Sequence, residues 1–463
     1  MSTVGEYPGT ALEQREALRR GDVTARELTV HALERLEATR DLGAFVSTNH
    51  DLALHDAAAA DRLIAQTPAS ERHTLPPLLG LPTAHKDLVQ VAGFTTTHGS
   101  AAVPHLTAKA DDPIAADVRL AGAVCIGKTQ VPEFGIAGYS ENLVAPPARN
   151  PFDPARTAGG SSGGTAGAIA AGVIAAAIGS DAGGSIRIPS AACGLVGLKP
   201  GRGTVPADRL LGLVDEAGTP RMAVSGPMAR TARDAALFFD AVMGAADEPA
   251  LRAVERASGL PALRVGVSFA SPFEPQLPTK FDDDARTAVR RAVATLTAAG
   301  HTVEAATFDY GGIYGEAFTT VWTQALTRIE FAKGAEAQLS ELAAWFLTRA
   351  REASPERVMR AIVDLREFAR RARSQWAHYD VVLTPALAHI APAIGEFWSR
   401  GPAGDYELQC DWAPQTSLVN VVGLPAITAP SGADAAGLPR GVQLIGRAGS
   451  EIQLLQLAEQ LVS

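Results

Sequence analysis

Short apolar runs alternate with helical patterns along most of this chain, and that alternation limits the folds open to it. Eight runs are typical of buried strands: "LLGLPTAHKDLV", "AVCIGK", "AAAIGSD", "LVGLKP", "LRVGVS", "VVLTPA", "AITAP" and "GVQLIG". Helical patterns separate many of them, over residues 111–121, 231–243, 283–298, 355–376 and 451–461. Such alternation is typical of layered α/β proteins. It predicts an α/β fold in which helices sandwich a large mixed, mostly parallel sheet.

The chain is predicted to form one domain, 1–463, with several distinguishable regions. The stretch 10–40 predicts two helices broken at Gly21 and Asp22, where Thr24 is a candidate N-cap with Glu27 three residues later. We expect N-terminal helices over about 9–66, a core over about 75–245, variable segments around a pocket over about 205–225 and 310–350, and a C-terminal core over about 378–463.

Composition and charge restrict the classes of partner. Of the 463 residues, 46% are hydrophobic and 20% are charged, as in ordinary globular proteins, and the net charge is −9. An acidic chain is a poor partner for nucleic acid or for an anionic membrane, so we expect neither. The three cysteines are too far apart in the sequence to indicate a zinc site or a disulfide framework.

No stretch of the sequence predicts export or membrane insertion. The first residues lack the basic-then-apolar order of a signal peptide. The longest apolar run, residues 166–179, is shorter than the ~20 residues that cross a bilayer. Its small residues favour a tightly packed, buried element. We therefore expect a cytoplasmic protein.

The stretch "GAVCIGKT", residues 122–129, matches the G-x-x-x-x-G-K-[ST] pattern of nucleotide-binding loops. Such a loop needs a strand before its first glycine and a helix after its last residue. Here a helical pattern precedes Gly122, the strand-like residues lie inside the match, and Pro132 interrupts the region that should be helical. The stretch is therefore interpreted as a turn that leads into a buried strand.

Two glycine- and serine-rich stretches contain the candidate chemistry. In "GSDAGGSIRIPSAACGLVGLKP", Ser185 follows two glycines, which let successive amides point one way, as an oxyanion hole requires. The same turn is equally compatible with Ser185 as the N-cap of a helix. The earlier stretch, "RTAGGSSGGTAGAIAAG", fits a linker, a phosphate-binding turn or part of an active site.

A nucleophilic serine needs a base, and the sequence offers few candidates. His85 is the most suggestive histidine, but no histidine has a spacing that ties it to Ser185, and the G-x-S-x-G pattern of α/β-hydrolases is absent there. Lys86 lies between apolar, strand-like flanks, where burial would lower its pKa and let it act as a neutral base. An ion pair between Lys86 and Asp87 is the alternative.

These segments resemble the amidase signature family. The stretch "GGSSGGTAGAIAAGVIAAAIGSDAGGSIRIPSAACGLVGLKP" is similar to the family's glycine- and serine-rich segment and the Gly-Gly-Ser-Ile-Arg-x-Pro segment that follows it. "GLPTAHKDL", "RLAGAVCIGKTQVPEF", "NVVGLPAITAP" and "GLPRGVQLIG" resemble further family elements, so the likeness covers most of the chain. One departure is visible: the family's commoner "GTDTGG" is "GSDAGG" here, with Ser180 and Ala182 at the changed positions.

The resemblance implies the fold of that family, with its large twisted sheet, and a Ser–cis-Ser–Lys triad. Ser185 falls on the nucleophile, Ser161 on the bridging serine with a cis peptide, and Lys86 on the base. The backbone amides of Ala182, Gly183, Gly184 and Ser185 fall on the oxyanion hole, and Ser162, Asp181 and Arg187 fall on supporting positions. Neither a metal nor an organic cofactor is implied.

The implied reaction is hydrolysis of a C–N acyl bond through a serine acyl-enzyme. The expected substrates are small aryl or aliphatic amides, with carbamates and esters as related classes, and the expected protein is a monomer or a homodimer. The glutaminase component of a tRNA-dependent amidotransferase is an alternative. Such components typically carry an Asp seven residues before the Asn of their "N…GLP" segment, where this chain has Ala413, although a two-residue shift would restore Asp411.

A non-catalytic binding protein on the same fold is the alternative of another class, and the presence of all three triad residues argues against it. An apolar substrate pocket is expected near Ser185. Its candidate lining residues are Gly159, Gly160, Phe134, Ile136, Tyr139, Leu211, Tyr310, Tyr314, Trp322 and Trp412, of which most are expected to belong to the core.

Overall fold

Helices and strands alternate along the computed structural model, which describes residues 9–212, 214 and 221–462. The helices are α1 (Ala11–Arg20), α2 (Ala25–Ala38), α3 (His50–Gln66), α4 (Pro113–Leu120), α5 (Gly163–Ala170), α6 (Arg187–Ala192), α7 (Pro206–Leu210), α8 (Ala232–Val242), α9 (Pro249–Val254), α10 (Asp283–Ala298), α11 (Tyr314–Gln324), α12 (Glu341–Glu352), α13 (Pro355–Trp376), α14 (Gly401–Trp412), α15 (Ser417–Val422) and α16 (Glu451–Val462). The strands are β1 (Phe45–Thr48), β2 (Pro82–Lys86), β3 (Thr95–Thr96), β4 (Leu106–Thr107), β5 (Val124–Thr129), β6 (Arg149–Asn150), β7 (Asp153–Thr157), β8 (Ala176–Asp181), β9 (Val196–Lys199), β10 (Val224–Ala229), β11 (Arg264–Val267), β12 (Thr302–Ala305), β13 (Val381–Pro385), β14 (Ala426–Ala433) and β15 (Pro439–Gly446).

The main sheet is mixed, as the alternation predicts. In the described residues it has eight strands in the order β12-β11-β13-β15-β14-β9-β10-β8. The expectation that most strands run parallel is wrong. Only the pairs β11–β12 and β11–β13 are parallel, and the five other neighbouring pairs are antiparallel. The reason is connectivity: a short turn joins β14 to β15, so these strands must run in opposite directions.

Helices bury small and apolar side chains against the sheet. Every residue of α8 except Arg233 is buried, and the apolar residues of α16 pack into the same core cluster. The N-terminal helices begin as predicted, because Thr24 and Glu27 form a capping box at the start of α2. Within the described residues, no helix combines the length and the apolar character that crossing a bilayer would require.

A three-stranded sheet, in the order β1-β5-β2, lies beside one edge of the main sheet. The Thr83 hydroxyl of β2 donates a 3.0 Å hydrogen bond to the Ala176 carbonyl of β8. This contact places the carboxyl end of β2, and therefore Lys86, alongside β8. The nucleotide-loop match lies in β5, which follows a turn after α4, in agreement with its interpretation as a buried strand.

The two segments expected to vary around a pocket contain regular structure. Residues 310–350 hold α11 and part of α12, and residues 205–225 hold α7 and the start of β10. Residues 213 and 215–220 of the second segment lie outside the described residues. The division of the chain into one domain with these regions stays a prediction.

Candidate active site

Lys86, Ser161 and Ser180 form a buried polar cluster where β2 ends beside β8. The Lys86 Nζ atom lies 2.6 Å from Ser161 Oγ, 3.0 Å from Ser180 Oγ and 3.2 Å from the Ser180 carbonyl oxygen. Lys86 and Ser161 are each 1% exposed. Burial lowers the pKa of Lys86 to about 7, although the charge of Asp181 opposes this shift.

The three contacts of Lys86 fit a neutral amine. A neutral amine has two N–H donors and one lone pair, whereas an ammonium ion has three donors and no acceptor. The two N–H groups match the carbonyl and hydroxyl oxygens of Ser180, and the lone pair can accept the hydroxyl proton of Ser161. The alternative partner, Asp87, instead pairs with the buried Lys128 at 3.2 Å. Lys86 therefore does not form the ion pair with Asp87 that was the alternative interpretation of the sequence.

The backbone around Ser161 is closely packed and unusual in geometry. The peptide bond between Gly160 and Ser161 is cis. A Cβ atom at Gly160 would lie 2.5 Å from the main-chain carbon and oxygen of Tyr139, so no larger residue fits without moving that backbone. The next residue, Ser162, donates its amide to the Ser185 carbonyl at 3.2 Å, which ties the two serine-rich stretches together.

Asp181 shapes the loop between β8 and α6 that carries Ser185. Its Oδ1 accepts the Gly184 amide at 2.8 Å, and its Oδ2 accepts the Ile186 amide at 3.1 Å. The assignment of the Gly184 amide to the oxyanion hole is therefore wrong, because this N–H is already bonded to a carboxylate. In the described part of the chain, the amides of Ala182, Gly183 and Ser185 carry no such bond.

Gly184 has a second role in this loop. Its φ of +131° favours glycine, and a Cβ atom there would lie 2.5 Å from Thr416 Oγ1. The Thr416 hydroxyl donates to the Gly183 carbonyl at 2.7 Å. The loop therefore packs directly on the turn before α15, and this packing fixes the direction of the peptide groups beside Ser185.

Arg187 joins the loop to the C-terminal half of the chain. It is fully buried and donates to Asp181 Oδ1 at 2.8 Å, to the Thr416 carbonyl at 2.9 Å and to Gln443 Oε1 at 2.6 Å. Burial alone would raise the pKa of Asp181, but the charge and hydrogen bonds of Arg187 hold it well below its usual range. Asp181 is therefore a carboxylate, and its role is to hold the loop.

Sequence reasoning missed four polar residues that support the site: Ser180, Thr416, Asn420 and Gln443. The Asn420 side chain donates to Asp181 Oδ1 at 2.9 Å and to the Asp181 carbonyl at 2.8 Å. Of these four residues, only Ser180 had a signal in the sequence, because it is one of the two positions that differ from the family's commoner "GTDTGG". The other three lie more than 200 residues from Ser185 in the sequence, so no local spacing indicated them.

Comparison with known proteins matches the chain to one family. The family model described as Amidase matches residues 27–455. The chain belongs to the amidase signature family. A Mycobacterium tuberculosis protein named amidase AmiB2 is 36% identical over 462 residues, which cover 99% of this chain and 96% of that protein. The solved structure of 6-aminohexanoate cyclic dimer hydrolase has a TM-score of 0.84 and 28% identity, covering 98% of this chain and 96% of that one.

The relatives also include an enzyme of another class, an amidotransferase. A glutamyl-tRNA(Gln) amidotransferase component from Burkholderia pseudomallei is 31% identical over 491 residues, covering 96% of this chain and 95% of that protein. The family match and the amide hydrolases among its relatives make this chain a hydrolase of amides.

A cleft of about 460 Å³ opens beside the buried cluster of Lys86 and Ser161. Lys86, Ser161, Ser180 and Ser185 line it together with apolar side chains. Of the expected pocket residues, Phe134, Ile136, Leu211 and Trp322 line this cleft, and Trp412 lines a smaller cavity beside it that also reaches Ser185. These side chains come from four different parts of the sequence, and the fold brings them to two adjoining cavities.

Three aromatic residues expected at the amidase pocket belong to the core instead. Tyr139 donates to Asp405 at 2.6 Å and stacks on Phe397. Tyr314 is buried and donates to Ser417 at 2.8 Å, and Tyr310 packs among buried aromatic rings. Each phenol finds an internal partner, which allows the ring to be buried.

Gly159 and Gly160 also differ from the expectation. A Cβ atom at Gly159 would meet the Pro189 backbone at 2.9 Å. Both glycines therefore lie against neighbouring backbone, and among the described residues neither lines the cleft or the smaller cavity beside it.

Proposed function

We propose that this amidase cleaves the C–N bond of small aryl or aliphatic amides, and of related carbamates, through an ester on Ser185. The observation that carries the proposal is the 2.6 Å contact between Lys86 Nζ and Ser161 Oγ inside the cleft that Ser185 lines. A buried amine with a pKa of about 7 is uncharged in a large fraction of molecules near neutral pH, so it can accept a proton.

Acylation begins with proton transfer along the three residues. Lys86 takes the hydroxyl proton of Ser161, and Ser161 takes that of Ser185, whose oxygen bonds to the substrate carbonyl carbon. The free amides of Ala182, Gly183 and Ser185 are the candidate donors to the resulting oxyanion. The C–N bond then breaks as the relay returns a proton to the leaving nitrogen, because an amide anion is a poor leaving group.

Deacylation uses the same groups in reverse. Water attacks the ester carbonyl and gives a proton to the relay. The C–O bond to Ser185 breaks, Ser185 regains a proton, and the carboxylic acid leaves. The cleft walls are mainly apolar, with Phe134, Ile136 and Trp322 near the serines, which supports an aryl or aliphatic acyl group rather than a strongly polar one.

The test is a panel of aryl amides, aliphatic amides, esters, carbamates and glutamine, incubated with wild type and with Ser185→Ala and followed by mass spectrometry. We expect wild type to release acid and amine from at least one apolar amide, and Ser185→Ala to release neither. A serine-reactive probe should label Ser185 in wild type. Retention of the wild-type kcat by Ser185→Ala would overturn the assignment, and an unlabelled Ser185 with no turnover would favour a binding protein.

A glutaminase role is the second candidate, and the 31% identity to an amidotransferase component favours it. The local geometry argues the other way. Ala413 lines the small cavity beside Ser185 and carries no carboxylate, while Asp411 lies 3.3 Å from His389 Nε2. Release of ammonia from glutamine faster than from every apolar amide of the panel would establish the glutaminase role instead.

A further inference from the structure

A second cavity of about 310 Å³ adjoins the cleft. The two share Arg202, Met222 and Val321 as wall residues. Helix α13 supplies much of the remaining wall, including Ile362 and Leu365. Among the described residues that line it, every charged side chain is an arginine: Arg202, Arg366, Arg370 and Arg373.

Arg202 and Arg373 are held by main-chain carbonyls rather than by carboxylates. Arg202 donates to the carbonyls of Arg221 at 2.7 Å and of Asn420 at 2.6 Å. Two nitrogens of Arg373 donate to the Val422 carbonyl. Within the described chain, neither arginine forms an ion pair, and the Nη1 group of each has no hydrogen-bond partner.

The two guanidinium groups lie close enough to affect each other. Burial and the neighbouring charge of Arg373 lower the pKa of Arg202 to about 10, so Arg202 remains a cation at neutral pH. Among the described residues, two carboxylates line the cleft, and both bond to other groups: Asp208 accepts the amide and hydroxyl of Ser225, and Asp112 accepts the Gln90 amide. Two cations with only carbonyl partners favour an anion between them.

We propose that this second cavity binds the carboxylate end of a linear substrate whose amide carbonyl lies at Ser185. The substrate class is an aliphatic amide with an anionic group at its far end, and Met222 and Val321 contact the methylene chain between the two ends. The inference rests on the proposed function, since it extends the same cleft.

A purely structural role makes a different prediction. Apart from the Arg221 carbonyl, the carbonyls that hold Arg202 and Arg373 belong to the last residues of α15, so both arginines also cap that helix. Loss of a cap lowers stability and affects charged and neutral substrates alike. Loss of an anion subsite affects only the charged substrate, and this difference is what the experiment measures.

The substrates are suberamic acid and suberamide, which have equal length and differ only in a terminal carboxylate or carboxamide. We expect wild type to have a kcat/KM at least ~10-fold higher for suberamic acid, after correction for the two amides of suberamide, as for a hydrogen bond to a charged group. Most of the difference should lie in KM, because the carboxylate is remote from the reacting bond.

The key variants are Arg373→Gln and Arg373→Lys. Arg373→Gln should reduce the preference for suberamic acid to within ~2-fold of unity, and Arg373→Lys should restore part of it. Arg371→Gln is the matched control. It removes the same charge from the same helix, but Arg371 pairs with the exposed Asp309 at 3.4 Å. Arg371→Gln should keep the wild-type preference, and Arg202→Gln provides a second variant should Arg373→Gln fail to fold.

Octanoate binding measured by calorimetry separates this inference from the proposed reaction. Octanoate has no scissile bond, so its binding does not depend on catalysis, and we expect wild type to bind it more tightly than Arg373→Gln does. An equal kcat/KM for the two substrates with wild type, or equal losses for both with Arg373→Gln, would overturn the subsite. Octanoate binding that needs Arg373, without turnover of any amide, would retain the subsite and reject the proposed reaction.

Discussion

Lys86 sets the pH range in which this amidase can work. In the proposed reaction the amine must be neutral, and burial lowers its pKa to about 7. Below that pH, Lys86 is protonated and cannot accept the proton of Ser161. Above it, the free base is the main form. We expect kcat/KM to rise with pH through a single step near 7, measured with an uncharged amide. A profile that falls across this step would contradict the neutral-lysine mechanism.

The Ser180 hydroxyl should raise the pKa of Lys86 and so affect the same pH profile. Its hydroxyl lies 3.0 Å from Lys86 Nζ and accepts a stronger hydrogen bond from the charged form than from the neutral one. Ser180→Ala should therefore move the midpoint to lower pH and reduce kcat by up to ~10-fold through looser positioning. Ser180→Thr keeps the hydroxyl and should restore both values. If the midpoint of the pH profile were unchanged in Ser180→Ala, Ser180 would not influence the pKa of Lys86.

The adjacent serines 161 and 162 should respond differently to substitution. Ser161 Oγ contacts Lys86 Nζ at 2.6 Å, whereas Ser162 Oγ reaches only the Ser180 carbonyl, at 3.5 Å. Ser161→Ala should lower kcat by ~10³-fold or more, as loss of a relay member does. Ser162→Ala should keep most of the activity, because its amide contact to Ser185 survives. Equal losses in steady-state kinetics would undo the distinction.

At the scale of elements, Glu133 connects α12 to the cleft. Its Oε2 accepts the amide and hydroxyl of Ser340 at 2.8 and 2.6 Å, and its Oε1 accepts the Ser100 hydroxyl. Phe134, the next residue, lines the cleft. The carboxylate therefore links the start of a helix, a loop and a substrate wall.

Replacing Glu133 by Gln should loosen that connection. Glutamine can accept from the Ser340 amide and hydroxyl with its one oxygen, but its NH2 group then replaces the acceptor of the Ser100 hydroxyl, and the charge that strengthens these bonds is lost. We therefore expect a loss of ~1–3 kcal/mol in the free energy of unfolding and a higher KM. Thermal unfolding and steady-state kinetics measure the two effects. The control is Glu336→Gln, which removes an exposed ion pair with Arg351 at the other end of α12 and should change neither. Equal effects from both variants would contradict the specific role of Glu133.

Eight of the described strands were predictable from the sequence, whereas the directions of the strands were not. All eight apolar runs lie on strands, because a buried strand needs continuous apolar residues. Strand direction depends on which strands become neighbours, and β15 lies between β13 and β14 through contacts that no local pattern records. The strands β1 and β12 were missed because their residues are only partly buried. The buried strand β10 was missed because its residues, VSGPMA, include glycine and proline and form no continuous apolar run.

Some residues of the candidate site were also predictable from the sequence, and others were not. Lys86, Ser161 and Ser185 were identified through resemblance, and they line one cleft. The Gly184 amide was assigned wrongly because the sequence does not show that Asp181 turns back to accept it. Tyr139 and Tyr314 were expected at the pocket because a sequence does not distinguish an aromatic side chain in a core from one in a cleft wall.

At the scale of the whole molecule, Arg187 should support stability as well as the site. It is fully buried and bonds to Asp181 and to the C-terminal segments. Arg187→Met leaves the Asp181 carboxylate buried without its cation, which costs ~3–5 kcal/mol. We expect a lower midpoint of urea unfolding and loss of turnover. Arg371→Met, a surface substitution, should leave the free energy of unfolding within ~0.5 kcal/mol of wild type. An unchanged midpoint in Arg187→Met would show that the buried network is dispensable.

The hydrogen bonds of Arg187 to Thr416 and Gln443 can form only late in the synthesis of the chain, because these acceptors lie near its C-terminal end. A ribosome delivers Lys86, Ser161 and Ser185 long before it delivers Thr416, Asn420 and Gln443. A nascent chain that ends near residue 400 holds all three triad side chains, but Arg187 still lacks its acceptors at 416 and 443. The network that holds the loop of Ser185 is therefore complete only after residue 443 has been synthesised, close to the end of translation.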